Sequence, residues 1–486
     1  MSLNLNQTLA WTKSLAAAST DAAAELAMLN DLQGNILKGH GRRHTSNLFV
    51  AFDRQKPDAV KSFVAGLGKD VTSALDQLTQ TQVFKSSGIH ADTFIAFMLS
   101  ASGYDAMGEM QAKPKGQAFS AGMKARAALN DPAPSQWDAH FSGEIHALIL
   151  IGASTPGERL AERSAMVTRI TATAGAVTLL NPLFQEDGDA LINSDGNGIE
   201  HFGYVDGRSQ PLALQEDVDR EDTKNGGISK WNPAIFLSQL LVPCRGGKLA
   251  VSHGSYFVFR KLDQNVRGFK AREEALAEQL EKRHHLPPDS IGERAGASIV
   301  GRFENGTPVV LFEEERTPIP AGDIGIPNNF NYKQDPKGLM CPFAGHIRKS
   351  NPRSDIAGSK NRLMARRGIP YGLRADGEPN DGQIDNKPTG NVGLLFMAYQ
   401  SSLEEQFEFT QALWVNNPDF RAASTGIDPV IGQPKGPSGQ KWPVVYGSTL
   451  SDGQAADDFS GFVTMRGGEY FFAPSISYLK SLASQG

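Results

Sequence analysis

The chain has 486 residues, 40% hydrophobic and 21% charged, with a formal net charge of -5. This composition excludes a disordered chain, and the slight acidity gives no electrostatic footprint for nucleic acid. Two cysteines, Cys244 and Cys341, allow at most one disulfide and cannot supply a four-cysteine iron–sulfur cluster.

The first thirteen residues lack a basic start and an apolar core of secretory length, and Asp21 and Glu25 interrupt the small-residue run that follows. No stretch approaches ~18 uninterrupted apolar residues, so no membrane span is expected and a soluble, cytoplasmic protein is. Residues 14–31 read as an alanine-rich helix of weak amphipathicity. Residues 47–52 form an apolar run that reads as a strand. Positions 57–78 carry helical spacing at Val60, Phe63, Val64 and Leu67. Two buried strands are predicted over 94–99 and 146–151. A helix over 156–174 opens on Pro156 and has apolar residues at Leu160, Met166 and Ile170.

The second half repeats this rhythm. Strands are predicted over 255–260, 392–399 and 469–472. Helices are predicted over 272–283 and over 403–414, the latter with Phe407, Phe409 and Leu413 inward. Two rounds of strand, helix and strand point to an α+β fold of two related units. The charged, turn-rich segment 215–233 is the expected junction. The division is an N-terminal helical extension over 1–31, a first unit over 32–222 and a second over 223–486. A further loop-rich stretch runs over 334–353, and long irregular segments within a compact domain are usually functional.

Three short segments carry the chemistry. Asp206 lies in Gly-Tyr-Val-Asp-Gly-Arg, bracketed by Gly203 and Gly207. On the dipeptide alone Asp-Gly is a turn, yet glycine flanks also let an acid project into a crowded pocket. His346 follows Ala344 and Gly345, small residues that let a flat macrocycle approach the backbone. A lone histidine is more often structural than a ligand, and His201, His253, His284 and His285 compete with it. Arg366 and Arg367 precede Gly-Ile-Pro-Tyr-Gly; such a pair is usually solvated or paired with acids. Leu394 and Phe396 are two apart on a predicted strand and share a face, which the bland reading assigns to the core.

These segments, in this order, resemble the dye-decolourising peroxidase family. The resemblance implies two ferredoxin-like units with antiparallel sheets and peripheral helices, and haem in the C-terminal unit. It implies haem b held non-covalently, in keeping with the lack of a Cys-x-x-Cys-His sequence. His346 becomes the iron ligand. Asp206 becomes the proton shuttle over the open face, and an aspartate stays ionised to lower pH than a histidine, so activity should reach into the acidic range. Arg366 becomes the cation that holds the departing oxygen. Leu394 and Phe396 become the apolar roof of that pocket. Arg348, Lys349 and Arg353 follow the ligand closely and are natural propionate partners, with Arg348 the first choice. Some relatives carry an asparagine two residues after the arginine; Gly368 stands there, so Asp206 and Arg366 are expected to act without it. Many also place an acid near Ser402; with serine there, the acceptor for the His346 ring N–H is Glu404, Glu405 or a backbone carbonyl. The implied substrates are hydrogen peroxide and organic electron donors such as dyes and phenolics, with Tyr371, Tyr399 and Trp414 as candidate electron relays. A homo-oligomer stays open. The rival readings are a haem carrier or iron-release protein, which needs His346 but has no use for the Asp206/Arg366 pair, and an α+β binding protein without haem.

Overall fold

A computed structural model describes residues 3–17, 19–90, 92–181, 186–224, 227–283, 285, 287, 291–316, 325–374, 383–437, 439–448 and 454–485. His284 lies outside the described residues.

The first unit is built on β1 (His44–Phe52), β2 (Phe94–Leu99), β3 (Ala147–Ala153) and β4 (Val177–Leu179), in the spatial order β2-β3-β1-β4. Helices α3 (Pro57–Leu67) and α4 (Ala74–Ser87) connect β1 to β2, and α5 (Pro156–Thr171) connects β3 to β4. The expected helix over 57–78 is thus two helices, the second begun by the Ser73 side chain accepting from Asp76 N. In α5, Thr155 and Glu158 form a reciprocal capping box ahead of Pro156. Met166 and Ile170 face inward as expected, whereas Leu160 is exposed.

The second unit repeats this order. Its strands are β5 (His253–Gln264), the short pair β6 (Ala365–Arg366) and β7 (Ile369–Tyr371), β8 (Gly393–Gln400) and β9 (Val463–Ala473). They run β6-β8-β5-β9, with β7 also on β8. Helices α7 (Val266–Arg283) and α8 (Glu293–Val300) follow β5. Both units therefore have the ferredoxin-like order with antiparallel ladders, and β9 meets β2 at Phe472–Leu99 to join them in one sheet. The segment over 403–414 is helical, but Leu403–Glu408 and Thr410–Val415 wind as π-helical turns. The wider turn rotates the buried stripe off the α-helical period: Phe407, Trp414 and Val415 are buried, and Leu413 is exposed.

Two further segments differ from the sequence reading. The stretch expected as a turn-rich junction begins with helix α6 (Gln215–Asp222), which buries Val218. The N-terminal extension forms α1 (Trp11–Ala16) and α2 (Thr20–Asp31) and packs into the main core through Trp11, Met28 and Leu29. Asp31 accepts from Ser477 N at 2.6 Å and from the Ser252 hydroxyl, tying α2 to the end of the chain. Small residues let α2 lie close, which weak amphipathicity hid. Among the described residues no helix is long and apolar enough to cross a membrane.

Candidate active site

The loop carrying Asp206 is held by its own backbone and by one acid. Asp206 N donates to Gly198 O at 3.0 Å, and Val205 N to Glu304 O at 3.0 Å. Glu200 gathers the turn: its carboxylate accepts from Phe202 N at 2.8 Å, Tyr204 N at 3.1 Å and the Gln264 side chain at 2.6 Å. Burial raises Glu200 to about 6 despite these bonds. Gly203 and Gly207 both have positive φ, +100° and +80°, which explains glycine on either side of the acid. The Asp206 side chain is exposed, with one oxygen 2.6 Å from Gly207 N.

Arg366 sits on β6 directly opposite Ala398 of β8. Opposite residues of a ladder share a face, and so do alternate residues of one strand. Arg366 therefore projects from the face that carries Leu394 and Phe396, both half-buried, with Phe396 against Phe407. Strand alternation sends Arg367 the other way, where it donates to Asn35 O at 2.7 Å and Ile36 O at 3.0 Å. One arginine of the pair is structural and the other faces the site.

His346 begins a short helix, α9 (His346–Ser350). Gly345 before it passes so close to α8 that a Cβ there would lie 3.0 Å from Ser298 O. The ring Nδ1 lies 2.9 Å from Asp428 Oδ2. Asp428 has no solvent exposure, and its other oxygen accepts from Val430 N at 2.8 Å and Ile431 N at 2.9 Å. Burial lowers the imidazole pKa, but the Asp428 charge and hydrogen bond outweigh it and the pKa is raised. A carboxylate can only accept, so Nδ1 carries the proton and Nε2 keeps its lone pair for iron. Glu404 and Glu405 are used elsewhere: Glu404 accepts from Ala118 N at 2.7 Å, and Glu405 pairs with Arg362. Asp428 is the partner sequence reading missed. It lies 82 residues from His346, in an Ile-Asp-Pro stretch that reads as an ordinary turn.

The three chemical groups lie within electrostatic reach of one another. Burial lowers the Arg366 guanidinium and Asp206 partly restores it. Arg366 and Asp206 also act, in opposite senses, on His346.

Arg348 is not available to a propionate. It is fully buried and donates to Asp335 Oδ2 at 2.7 Å, Asp335 O at 2.8 Å, both oxygens of Asp355 at 2.7 and 3.2 Å, and Cys341 O. Its plane also lies over Tyr332 and Phe343. All five N–H groups are committed, which corrects the first choice made from spacing. Lys349 is pinned to Asn417 O and Gly426 O, and burial lowers it to about 8. Arg353 is different. Its Nη1 donates to Asn328 O at 2.8 Å and Phe330 O at 2.6 Å, and its Nη2 to Asn328 Oδ1 at 2.8 Å and Ser209 Oγ at 3.1 Å, three residues beyond Asp206, so that only its buried Nε–H has no hydrogen-bond partner. Its φ of +49° is uncommon for arginine.

The residues of this site fit a haem: one imidazole nitrogen left for iron, an apolar face at Leu394 and Phe396, and an orphaned guanidinium donor beside the Asp206 loop. Among the described residues one other acidic cluster stands out, Glu273, Glu293 and Glu304. It carries its own cation: Lys270 Nζ lies 3.2 Å from Glu273 and pairs with Glu304, while Tyr204 donates to Glu273 at 2.7 Å.

A family described as Dyp-type peroxidase, C-terminal, matches residues 232–422, a span that contains His346 and Arg366. The multifunctional dye peroxidase DyP2 of Amycolatopsis sp. is 40% identical over 99% of this chain and 100% of its own length. The chain belongs to the dye-decolourising peroxidase family. The crystal structure of a DyP-type peroxidase from Anabaena sp. superposes with a TM-score of 0.87 at 36% identity, covering 99% of this chain and 98% of the other. A deferrochelatase of Yersinia pestis is 39% identical, but over only 23% of this chain and 20% of its own. Full-length similarity thus lies with dye-decolourising peroxidases, and the chain is a haem peroxidase of that type.

The candidate electron relays are all buried. Tyr371 donates to Asp263 at 2.9 Å beneath the Lys261 ammonium, and Tyr399 and Trp414 are enclosed in the core.

Proposed function

We propose that this peroxidase uses haem b held without a covalent link, reduces hydrogen peroxide and oxidises organic donors, dyes and phenolics among them, by single electrons. The bound haem supplies the redox chemistry, and the protein orients and tunes it. His346 Nε2 holds the iron. Asp428, through Nδ1–H, keeps the ring oriented and electron-rich. With haem bound, the Asp206 carboxylate would accept a proton from hydrogen peroxide and return it to the departing oxygen. Arg366 stabilises the charge that grows on the departing oxygen, a preorganised cation in a low-dielectric setting. Leu394 and Phe396 restrict that pocket to small molecules. Arg353, rather than Arg348, receives a propionate.

The observation that carries this reading is the half-buried His346 ring bonded to the fully buried Asp428, with Asp206 and Arg366 near enough to act electrostatically on it and on each other. A protein that only stores haem needs the first pair and gains nothing from the second. The test is stoichiometric. The haem-loaded chain should turn two equivalents of a one-electron donor into its radical for each peroxide consumed. Peroxide that merely bleaches the haem, leaving the donor untouched, would return the reading to haem storage.

A further inference from the structure

On the His346–Asp428 side of the site the surface holds a cavity of about 350 Å³, large enough for a small aromatic molecule. Its walls are the two segments that deliver that pair. Phe343 and Ala344 come just before His346, and Arg421 to Thr425 run just before Asp428. Three cations line it: Lys337, Arg421 and Lys441. Lys337 and Arg421 are exposed and Lys441 half-exposed. Among the described residues neither lysine has an ion-pair partner, and Arg421 has only a distant one, Asp355 at 3.9 Å.

The neighbouring carboxylates do not neutralise this charge. Asp335 and Asp355 both turn to the buried Arg348, whose guanidinium lies 4.6 Å over the Phe343 ring. Phe343 itself is half-buried. The loop opposite is firmly placed. Lys349 grips Asn417 O and Gly426 O, Thr425 Oγ1 donates to Phe420 O at 2.9 Å, and Asp419 accepts from Ser424 N at 2.8 Å. An aromatic wall, a fixed loop and three lining cations, two of them without an ion-pair partner among the described residues, make a receptor for a flat ring bearing an anionic group.

We propose that this cavity is a docking site for aromatic organic anions, sulfonates or carboxylates, and that donors bound there pass their electrons to the haem from the His346 side. The second half rests on the peroxidase reading. Each hydrogen peroxide takes one electron and one proton from each of two donors; the O–O bond breaks and two waters leave. The site gives molecules too large for the pocket under Leu394 and Phe396 a place to bind on the two segments that carry His346 and Asp428.

The probe is 2-naphthalenesulfonate, titrated calorimetrically into the resting haem-loaded protein without peroxide, with uncharged 2-methoxynaphthalene as the control. The double variant Lys337→Gln/Lys441→Gln changes only surface side chains. It should weaken sulfonate binding roughly tenfold and leave the uncharged analogue unchanged, because two partly screened charge contacts are lost. In turnover, KM for a sulfonated donor should rise in step while the rate of reaction with peroxide holds. Equal sulfonate binding by both proteins, or an equal loss for the uncharged analogue, would overturn the site. Because the titration needs no turnover, its result is separate from any failure of the peroxidase reading.

Discussion

The Nδ1 of His346 and the Oδ2 of Asp428 stand 2.9 Å apart, and Asp428 is wholly shielded from water. The other carboxylate oxygen is already fixed by Val430 N and Ile431 N. An Asp428→Asn side chain therefore has two poor choices. It can keep its oxygen on the backbone and turn its NH₂ toward Nδ1, forcing the wrong tautomer, or face the ring with a neutral acceptor. Reaction of the haem-loaded protein with peroxide should slow ~10- to 100-fold, the range seen for such supporting groups. Stopped-flow rates unchanged from the native protein would remove Asp428 from the chemistry.

Arg348 and Arg353 should separate stability from cofactor binding. Arg348→Met leaves Asp335 and Asp355 buried without their guanidinium, a loss of about 3–5 kcal/mol by the usual cost of breaking a buried pair. Chemical denaturation of the apoprotein measures it. Arg353→Lys keeps a charge but removes the orphaned Nε–H together with the fork that holds Asn328 and Phe330, so haem affinity is compared where the apoproteins are equally folded, and there it should fall roughly tenfold, a loss the size of one charge-assisted hydrogen bond. If haem titration finds Arg353→Lys native-like, the propionate lies elsewhere.

Glu200 offers a test by pH. Its folded pKa, about 6, lies above the unfolded carboxylate's ordinary value, so the fold favours the protonated form. That contribution is fully present below pH ~4.5 and is lost as pH rises through 6. The loss approaches about 2 kcal/mol by linkage. A Glu200→Gln protein cannot ionise there, and its stability should decline less between pH 5 and 7 than the native protein's. Parallel stability profiles would show that the turn carrying Asp206 does not depend on this carboxyl group.

Much of this was legible in the chain because it is local. The run 94–99 is apolar at every position, and the strand it predicts has those same ends and both faces buried. Asp206 and His346 stand in short segments whose glycines meet a local need, positive φ at Gly203 and Gly207 and the close approach of Gly345 to Ser298 O, and Arg366 stands in the equally compact segment that ends in Gly-Ile-Pro-Tyr-Gly. Other features depend on distance. Asp428 serves a histidine 82 residues away, and nothing in Ile-Asp-Pro points to it. Arg348 was misjudged because nearness to the ligand in sequence says nothing of direction. One turn of α9 sends Arg348 into Asp335 and Asp355, while Arg353, further along the chain, comes back to Ser209. The helix over 403–414 was foreseen, but its π-helical winding was not, since a wider turn changes which residues face inward without changing composition.

The central claim is that Arg366 works with Asp206 against peroxide, and its most direct test is a single mixing experiment. Native and Arg366→Leu proteins, each loaded with haem, are mixed with one equivalent of hydrogen peroxide and the Soret band is followed in a stopped-flow spectrometer. The native band should shift rapidly and stoichiometrically and return when an electron donor is added. The variant should make the same change at least ~100-fold more slowly, the scale of losing one preorganised stabilising group. A variant that reacts at the native rate, or a native band that stays ferric, would contradict the account.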